Sequence, residues 1–139
     1  MKKFLMIAIA WIAFACGEKK TETTETKEWK QMDDFHMIMA ESFHPYKDSA
    51  NLAPAKQMAK ELADAAAGWA SAELPEKVKN DEMKSALQQL STNSQDMLKL
   101  VNDNAADSLV AISLTNLHDA FHKIQEGWYG EGKKEHEHH

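Results

Sequence analysis

The sequence has 139 residues, of which one is cysteine and none is arginine. Since the cysteine is alone, no disulfide is possible within the chain, and the fold has to be held by core packing. The lack of arginine and the formal net charge of −6 argue against nucleic acid as a partner, because neutralisation of phosphates by basic side chains dominates such binding. We therefore exclude the nucleic-acid-binding class.

Motifs for catalysis are also missing. After residue 16 the sequence has no cysteine, and it has neither a glycine-rich phosphate loop nor a serine at a strand-to-helix elbow. Asp33 and Asp34 are adjacent, so their carboxylates do not face each other on a helix. Di-iron bundles need core carboxylates within a Glu-x-x-His pattern, and no predicted core position is a glutamate. We expect a protein that is not an enzyme.

The N-terminus has the layout of a secretory signal peptide. Two lysines precede 12 uncharged residues, 4–15, which are fewer than the about 20 apolar residues that a transmembrane helix needs. The segment AFAC at 13–16 resembles the lipobox of bacterial lipoproteins, which implies cleavage before Cys16 and lipidation of its thiol. It departs from that pattern, which usually has leucine in place of Ala13 and a smaller residue than Phe14. The alternative is an ordinary signal peptide with an incidental cysteine.

Four segments follow from this interpretation. They are a signal peptide (1–15), a lipidated cysteine with a polar tether (16–27), a folded domain (28–128) and a charged, His-rich tail (129–139). Cleavage removes two lysines and no acid, so the net charge changes from −6 to −8. We expect a lipid-anchored protein of the cell envelope, on the periplasmic face or the cell surface, with the membrane as its partner through the lipid.

Apolar residues in the domain recur every three or four positions, which is typical of amphipathic helices. The four predicted core stripes are Met32, His36, Met39 and Phe43; Ala55, Met58, Leu62, Ala65, Trp69 and Ala72; Met83, Leu87, Leu90, Ser94, Met97 and Val101; and Val110, Leu114, Leu117, Phe121, Ile124 and Trp128. Turn residues at 45–50, 75–80 and 103–104 separate the stripes. The pattern predicts an all-α, antiparallel up-down-up-down four-helix bundle with a short first helix, about 29–43.

Residues 29–128 resemble the soluble four-helix cytochromes, meaning the b-type bundle and cytochrome c′. The segment NLHDAFH at 116–122 is similar to the region where cytochrome c′ attaches its haem, with His118 in the place of the axial histidine. The haem-attaching cysteines are missing here, which excludes covalent haem. The resemblance instead implies non-covalent haem b, held by His118 and by Met37 or Met39.

Three histidines form a second candidate site. His118 and His122 are four residues apart, so both project from one face of the predicted fourth helix, where two imidazoles are able to share a cation. His36 occupies a position in the first predicted core stripe, where a polar ring needs partners. In an antiparallel bundle these histidines lie about 12, 15 and 9 Å from the same bundle end, for His36, His118 and His122 respectively. The spacing predicts a Zn²⁺ or copper site.

The same residues have simpler explanations. His36 alone is compatible with a core-edge histidine that has a backbone or carboxylate partner, and His118 and His122 with two solvated side chains. We expect His44, followed by Pro45, to be a loop histidine on a different face. Methionines at helical spacing suit Cu(I), but they usually fill cores.

Three functions therefore remain open at this point. The first is a non-catalytic lipoprotein that binds zinc or copper through His36, His118 and His122. The second is a b-type haem protein that transfers electrons, with His118 and Met39 as axial ligands. The third is a bundle without a cofactor that binds another envelope protein. The tail adds three further histidines that either bind metal loosely or are merely solvated: His136, His138 and His139.

Overall fold

The computed structural model describes residues 28–130, and this part of the chain forms four α-helices and no β-strand. The helices are α1 (Lys30–Ser49), α2 (Ala53–Ser71), α3 (Asp81–Asn102) and α4 (Asp107–Tyr129), with a short 3-10 helix, Glu76–Val78, between α2 and α3. The predicted all-α four-helix class is confirmed. The signal peptide, Cys16, the tether and the three tail histidines lie outside the described residues.

Each helix buries one stripe in a common core. On α4 all six predicted core residues are buried, and on α3 only Val101 of the predicted six is half-buried instead. On α2 the stripe includes small residues that the spacing did not single out, because Ala59, Ala63 and Ala66 are buried while Met58 is half-buried. These alanines let the neighbouring helices approach α2 closely.

The first helix presents a different face to the core from the predicted one. Its buried residues are Met32, Phe35, Met39 and Ser42, whereas His36 is exposed. The two faces share Met32 and Met39, and at the other two positions the observed face is shifted by one residue, from His36 to Phe35 and from Phe43 to Ser42. The spacing of the two faces is nearly the same, so the pattern alone did not separate them. Burial of the phenyl ring of Phe35 removes more apolar surface from water than burial of an imidazole, which explains the rotation. The prediction that His36 lies in the core is wrong.

The first helix also continues through Pro45, although the spacing and the proline predicted that it ends at about residue 43. A proline inside a helix removes one backbone donor. The helix continues because Tyr46, beyond the proline, packs against the core. It ends at Ala50, whose left-handed backbone (φ 54°) turns the chain and whose N–H donates to the carbonyl of Tyr46. The predicted loop at 45–50 is therefore wrong, and α1 has 20 residues, one more than α2.

An aromatic cluster fills the core where α1 begins and where α2 and α4 end. The ring of Trp29 lies 5.0 Å from that of Trp69 and 5.3 Å from that of Trp128, between centroids. Phe35 contacts Trp69 at 5.8 Å and Phe121 at 5.5 Å. The indole N–H of Trp69 is buried and has no hydrogen-bond partner. We call these five residues the tryptophan cluster.

The helices α1 and α4 run in opposite directions, because low numbers on one contact high numbers on the other: Trp29 contacts Trp128, and Phe43 contacts His118. This pair packs less extensively than the other three neighbouring pairs. The resulting seam between α1 and α4 contains the candidate site. Within residues 28–130, no helix is apolar over a length that would cross a bilayer.

Candidate functional site

A small cavity lies in the seam between α1 and α4. Its volume is about 20 Å³, which is close to the space of one water molecule or one metal ion. Half of its lining residues are histidines: His36, Met39, Ala40, Phe43, His44, His118, Phe121 and His122. The structure thus brings together the three histidines predicted as metal ligands, adds His44, and lines the same space with Met39, the proposed second haem ligand.

Two pairs of stacked rings connect α1 and α4 across the seam, and in each pair one helix supplies an imidazole and the other a phenyl ring. His118 of α4 lies flat on Phe43 of α1, with 3.8 Å between centroids and 11° between planes. His36 of α1 stacks on Phe121 of α4 at 5.4 Å and 22°. Each helix therefore supplies one phenyl ring and one imidazole. The stacking on Phe43 restricts the orientation of the His118 imidazole, which lowers the entropy cost of fixing that ring in a site.

The closest polar contact in the cavity joins His118 and His122. Their Nε2 atoms lie 3.1 Å apart, a hydrogen-bond distance at which one nitrogen carries the proton and the other accepts it. The spacing of four residues on α4 brings the two rings to the same face, as the sequence predicted. The pair therefore points two imidazole nitrogens at one location.

The surroundings of His118 favour a neutral ring. Burial lowers the pKa of His118, and a positive charge on His122 or on Lys47 of α1 lowers it further, whereas Asp119 opposes these effects. The carboxylate of Asp119 lies 3.7 Å from Nδ1, the ring nitrogen that does not face His122. This is an ion-pair distance, longer than a hydrogen bond. A neutral imidazole is the form that ligates a metal.

The remaining two histidines of the cavity face the pair from α1, and both are exposed. Within residues 28–130, no three side chains among His, Cys, Asp and Glu are oriented closely enough to hold a metal ion. A third ligand thus requires the ring of His36 or His44 to turn towards the pair. Rotamer changes of exposed side chains take picoseconds to nanoseconds, so this movement needs no change of fold.

His44 lies on the cavity because α1 does not end at Pro45. It is one residue before the proline, inside the helix, and eight residues after His36. The prediction of a loop histidine on another face is therefore wrong. Sequence reasoning missed His44 because it treated the proline as a helix end. The available signal was the apolar pair Phe43 and Tyr46, which continues the helical spacing across the proline.

A second, larger groove lies between the end of α2 and the start of α3. Its volume is about 420 Å³, and it is open to solvent. The charged residues at its edge are paired locally, with Lys79 on Glu73 and Glu76, and Lys84 on Asp81. No histidine lines this groove, whereas the four histidines within residues 28–130 all line the cavity in the seam.

Comparison with known proteins gives no relative: no family model, no curated protein and no solved structure matches the chain.

Proposed function

We propose that this chain is an exported, lipid-anchored protein of the cell envelope that binds a transition metal, Zn²⁺ or copper, without catalysing a reaction. The ligands are His118 and His122 on α4 and His36 on α1. The observation that carries the proposal is the 3.1 Å separation of the two Nε2 atoms in a cavity whose opposite wall holds a further histidine. The signal peptide and Cys16 support the location in the cell envelope.

The separation fits two ligands on one ion. In a tetrahedral zinc centre the Zn–N bonds are about 2.0–2.1 Å long, which sets two ligating nitrogens about 3.4 Å apart. His118 and His122 lie within a few tenths of an ångström of that spacing. A cation between them replaces the shared proton of the hydrogen bond. Asp119 lies on the Nδ1 side of His118, where an outer carboxylate commonly accepts a hydrogen bond from a metal-bound imidazole; at 3.7 Å it has to approach further to accept one.

His36 completes a minimal set of three ligands. Its exposed ring turns from the stack with Phe121, which costs about 0.5–1.5 kcal/mol. Apparent binding free energies of structural zinc sites are about 10–16 kcal/mol, so one more metal bond offsets that cost. Imidazole also suits copper, and the thioether of Met39 in the same cavity is a ligand type that Cu(I) accepts.

The size of the cavity favours an ion over haem b. His118 and Met39, the ligands of the haem alternative, line a space of about 20 Å³. A porphyrin between them has to displace the rings of Phe43 and Phe121, and Phe121 belongs to the tryptophan cluster. That displacement opens the packed core, at a cost of several kcal/mol for each large side chain moved.

Metal titration tests the proposal. The chain is purified in detergent with its three tail histidines changed to glutamine, so that the tail cannot bind metal; we call it the tail-substituted chain. We expect it to bind one Zn²⁺ or Cu²⁺ per molecule and to lose affinity as pH falls through about 6.5, because protonated imidazole is no ligand. His36→Ala and His118→Ala should each lower the affinity at least about tenfold. The double variant should lose little more, because the site is already broken.

Met37→Gln is the matched control, because Met37 is exposed next to His36 on α1 but does not line the cavity. It should bind metal as the parent does. Failure of the tail-substituted chain to bind either metal, or unchanged affinity of the His36→Ala variant, contradicts the proposal. An absorption spectrum with a Soret band in the purified protein would support haem instead.

One observation favours the interaction-module alternative. Leu109 and Ile112, three residues apart on α4, are large apolar side chains with 50% and 58% of their surface exposed. Neighbours at this spacing share a helix face and form a small apolar surface that a protein partner is able to cover. If the tail-substituted chain binds neither metal nor haem, this surface becomes the leading site for function. Leu109→Ser with Ile112→Ser should then abolish capture of an envelope partner.

A further inference from the structure

We infer that a second copy of this chain completes the metal site, so that His44 of one copy binds the ion of the other. This inference rests on the proposed function and names its partner. A single chain leaves the site incomplete, because within residues 28–130 no three metal-binding side chains come together. The three histidines of the proposal also occupy only three of the four positions of a tetrahedral zinc centre.

The position of His44 requires that its ion belongs to another chain. His36 and His44 are eight residues apart on α1, which separates them by about 12 Å along the helix axis. The two imidazoles therefore do not reach one ion from the same helix. His36 stacks on Phe121, the residue before His122, and so lies beside the imidazole pair of α4. His44 is exposed, which leaves its ring accessible to a second copy.

One face of α1 has the symmetry that an interface between two identical copies needs. Asp33, His36, Ala40, His44 and Lys47 follow one another at intervals of 3, 4, 4 and 3 residues, so they share this face. All are exposed except Ala40, which is half-buried. The intervals are the same from either end. When two copies of α1 lie antiparallel with Ala40 opposite Ala40, His36 of each copy faces His44 of the other.

The charges and the side-chain sizes on this face fit the same pairing. Asp33 and Lys47 are each seven residues from Ala40, so the pairing sets the carboxylate of each copy opposite the ammonium group of the other. Exposed ion pairs contribute little affinity, but they favour one register over others. Lys47 also interacts within its own chain, and the pairing uses only its charge. The small side chain of Ala40 allows two helices to approach to the usual distance of about 8–10 Å.

Metal ions hold the two copies together. The chain has a formal net charge of −6, so two copies repel each other in the absence of cations. A symmetric interface contains two equivalent sites, and a divalent cation in each offsets that repulsion where the copies meet. Each ion then has four imidazole ligands, which suits tetrahedral Zn²⁺ and tetragonal Cu²⁺. The dimer should therefore form only when metal is bound.

Sedimentation of the tail-substituted chain in density-matched detergent tests the inference. We expect a monomer in the presence of a chelator, and a dimer with one ion per chain after addition of Zn²⁺ or Cu²⁺. His44→Gln should stay monomeric at the metal concentration that dimerises the parent. It should also bind the ion at least about tenfold more weakly, because loss of even an outer-shell partner costs that much. Gln57→Ala, an exposed substitution on α2, should dimerise as the parent does.

Mixtures of two defective variants show whether the ligands come from different copies. In a mixed dimer of His36→Ala and His44→Gln, one of the two sites keeps all four histidines, so the mixture should regain up to one tight site per two chains. A mixture of His36→Ala and His118→Ala contains no complete site and should regain none. A metal-loaded parent that stays monomeric, or a first mixture that binds no better than its components, overturns the inference and leaves the three-histidine proposal standing. A parent chain that binds no metal overturns both.

Discussion

At the scale of single residues, the protonation of His118 makes the stability of the fold depend on pH. Burial lowers its pKa in the folded protein, and the charges of His122 and Lys47 act in the same direction, against Asp119. The unfolded chain has the ordinary value of about 6.5. As pH falls below that value, the unfolded state takes up the proton first, so the free energy of unfolding decreases until pH has passed the folded pKa. Above about 6.5 this contribution is fully present.

We therefore expect the metal-free protein to be less stable at pH 5 than at pH 7.5, and part of that loss to come from His118. In a His118→Gln variant the difference between the two pH values should shrink, whatever the change in overall stability. Urea unfolding in the presence of a chelator measures it. Gln57→Ala, at an exposed position without a titratable group, should keep the parent's difference. An undiminished difference in His118→Gln would show that the ring is as easily protonated in the fold as outside it.

Single residues also show which features of the site could be predicted from the sequence and which could not. The spacing of four predicted that His118 and His122 share a face, since that follows from helix geometry alone. It did not determine which of Phe35 and His36 faces the core, because both fit the same period and differ only in the surface they bury. The choice depends on packing against the Trp69 and Phe121 rings from other helices. Such contacts are distant in sequence and leave no local pattern.

At the scale of helices, two glycines near helix ends allow a matched comparison. A Cβ atom at Gly68 of α2 would meet no heavy atom within 4 Å, whereas one at Gly127 of α4 would lie 2.8 Å from Cε of Met83. Alanine restricts the unfolded chain and favours the helix, so Gly68→Ala should raise the free energy of unfolding by about 0.5–1 kcal/mol. Gly127→Ala should gain less or lose stability, because the methyl of Met83 has to move out of a packed position.

Urea titrations of both variants provide the measurement, with equal m-values as the condition for comparing midpoints. Met83 is 5% exposed, so its side chain has little room to retreat. If Gly127→Ala stabilises the protein as much as Gly68→Ala does, the Met83 methyl does not restrict that position.

The helices also differ in whether local sequence or tertiary contacts determine them. The stripes of α3 and α4 were predicted almost completely, because strong amphipathic periodicity is a local property. The continuation of α1 through Pro45 was not, because it depends on core contacts of Tyr46. One missed helix boundary was enough to hide His44 from the candidate site. Prediction of a site from sequence is therefore limited by its least certain helix.

At the scale of the whole molecule, the proposed lipidation of Cys16 would decide where the bundle is held. We expect the Cys16→Ser variant, produced in a bacterial host, to lack acyl chains and to leave the membrane fraction, because Cys16 is the one thiol in the sequence and the proposed site of lipid attachment. Mass spectrometry of the N-terminal peptide measures it. The parent should carry the lipid on Cys16. An acylated Cys16→Ser product, or a parent without acylation, would favour an ordinary signal peptide instead.

The tryptophan cluster gives the molecule a built-in optical reporter. Trp29 contacts both Trp69 and Trp128 at one end of the bundle, and the fourth tryptophan, Trp11, belongs to the segment that cleavage would remove. All indole emission from the processed chain then originates at one place. Fluorescence follows the opening of that end, while far-ultraviolet dichroism averages over all four helices. If the fluorescence and dichroism transitions occur at different denaturant concentrations, the bundle opens at one end before the other.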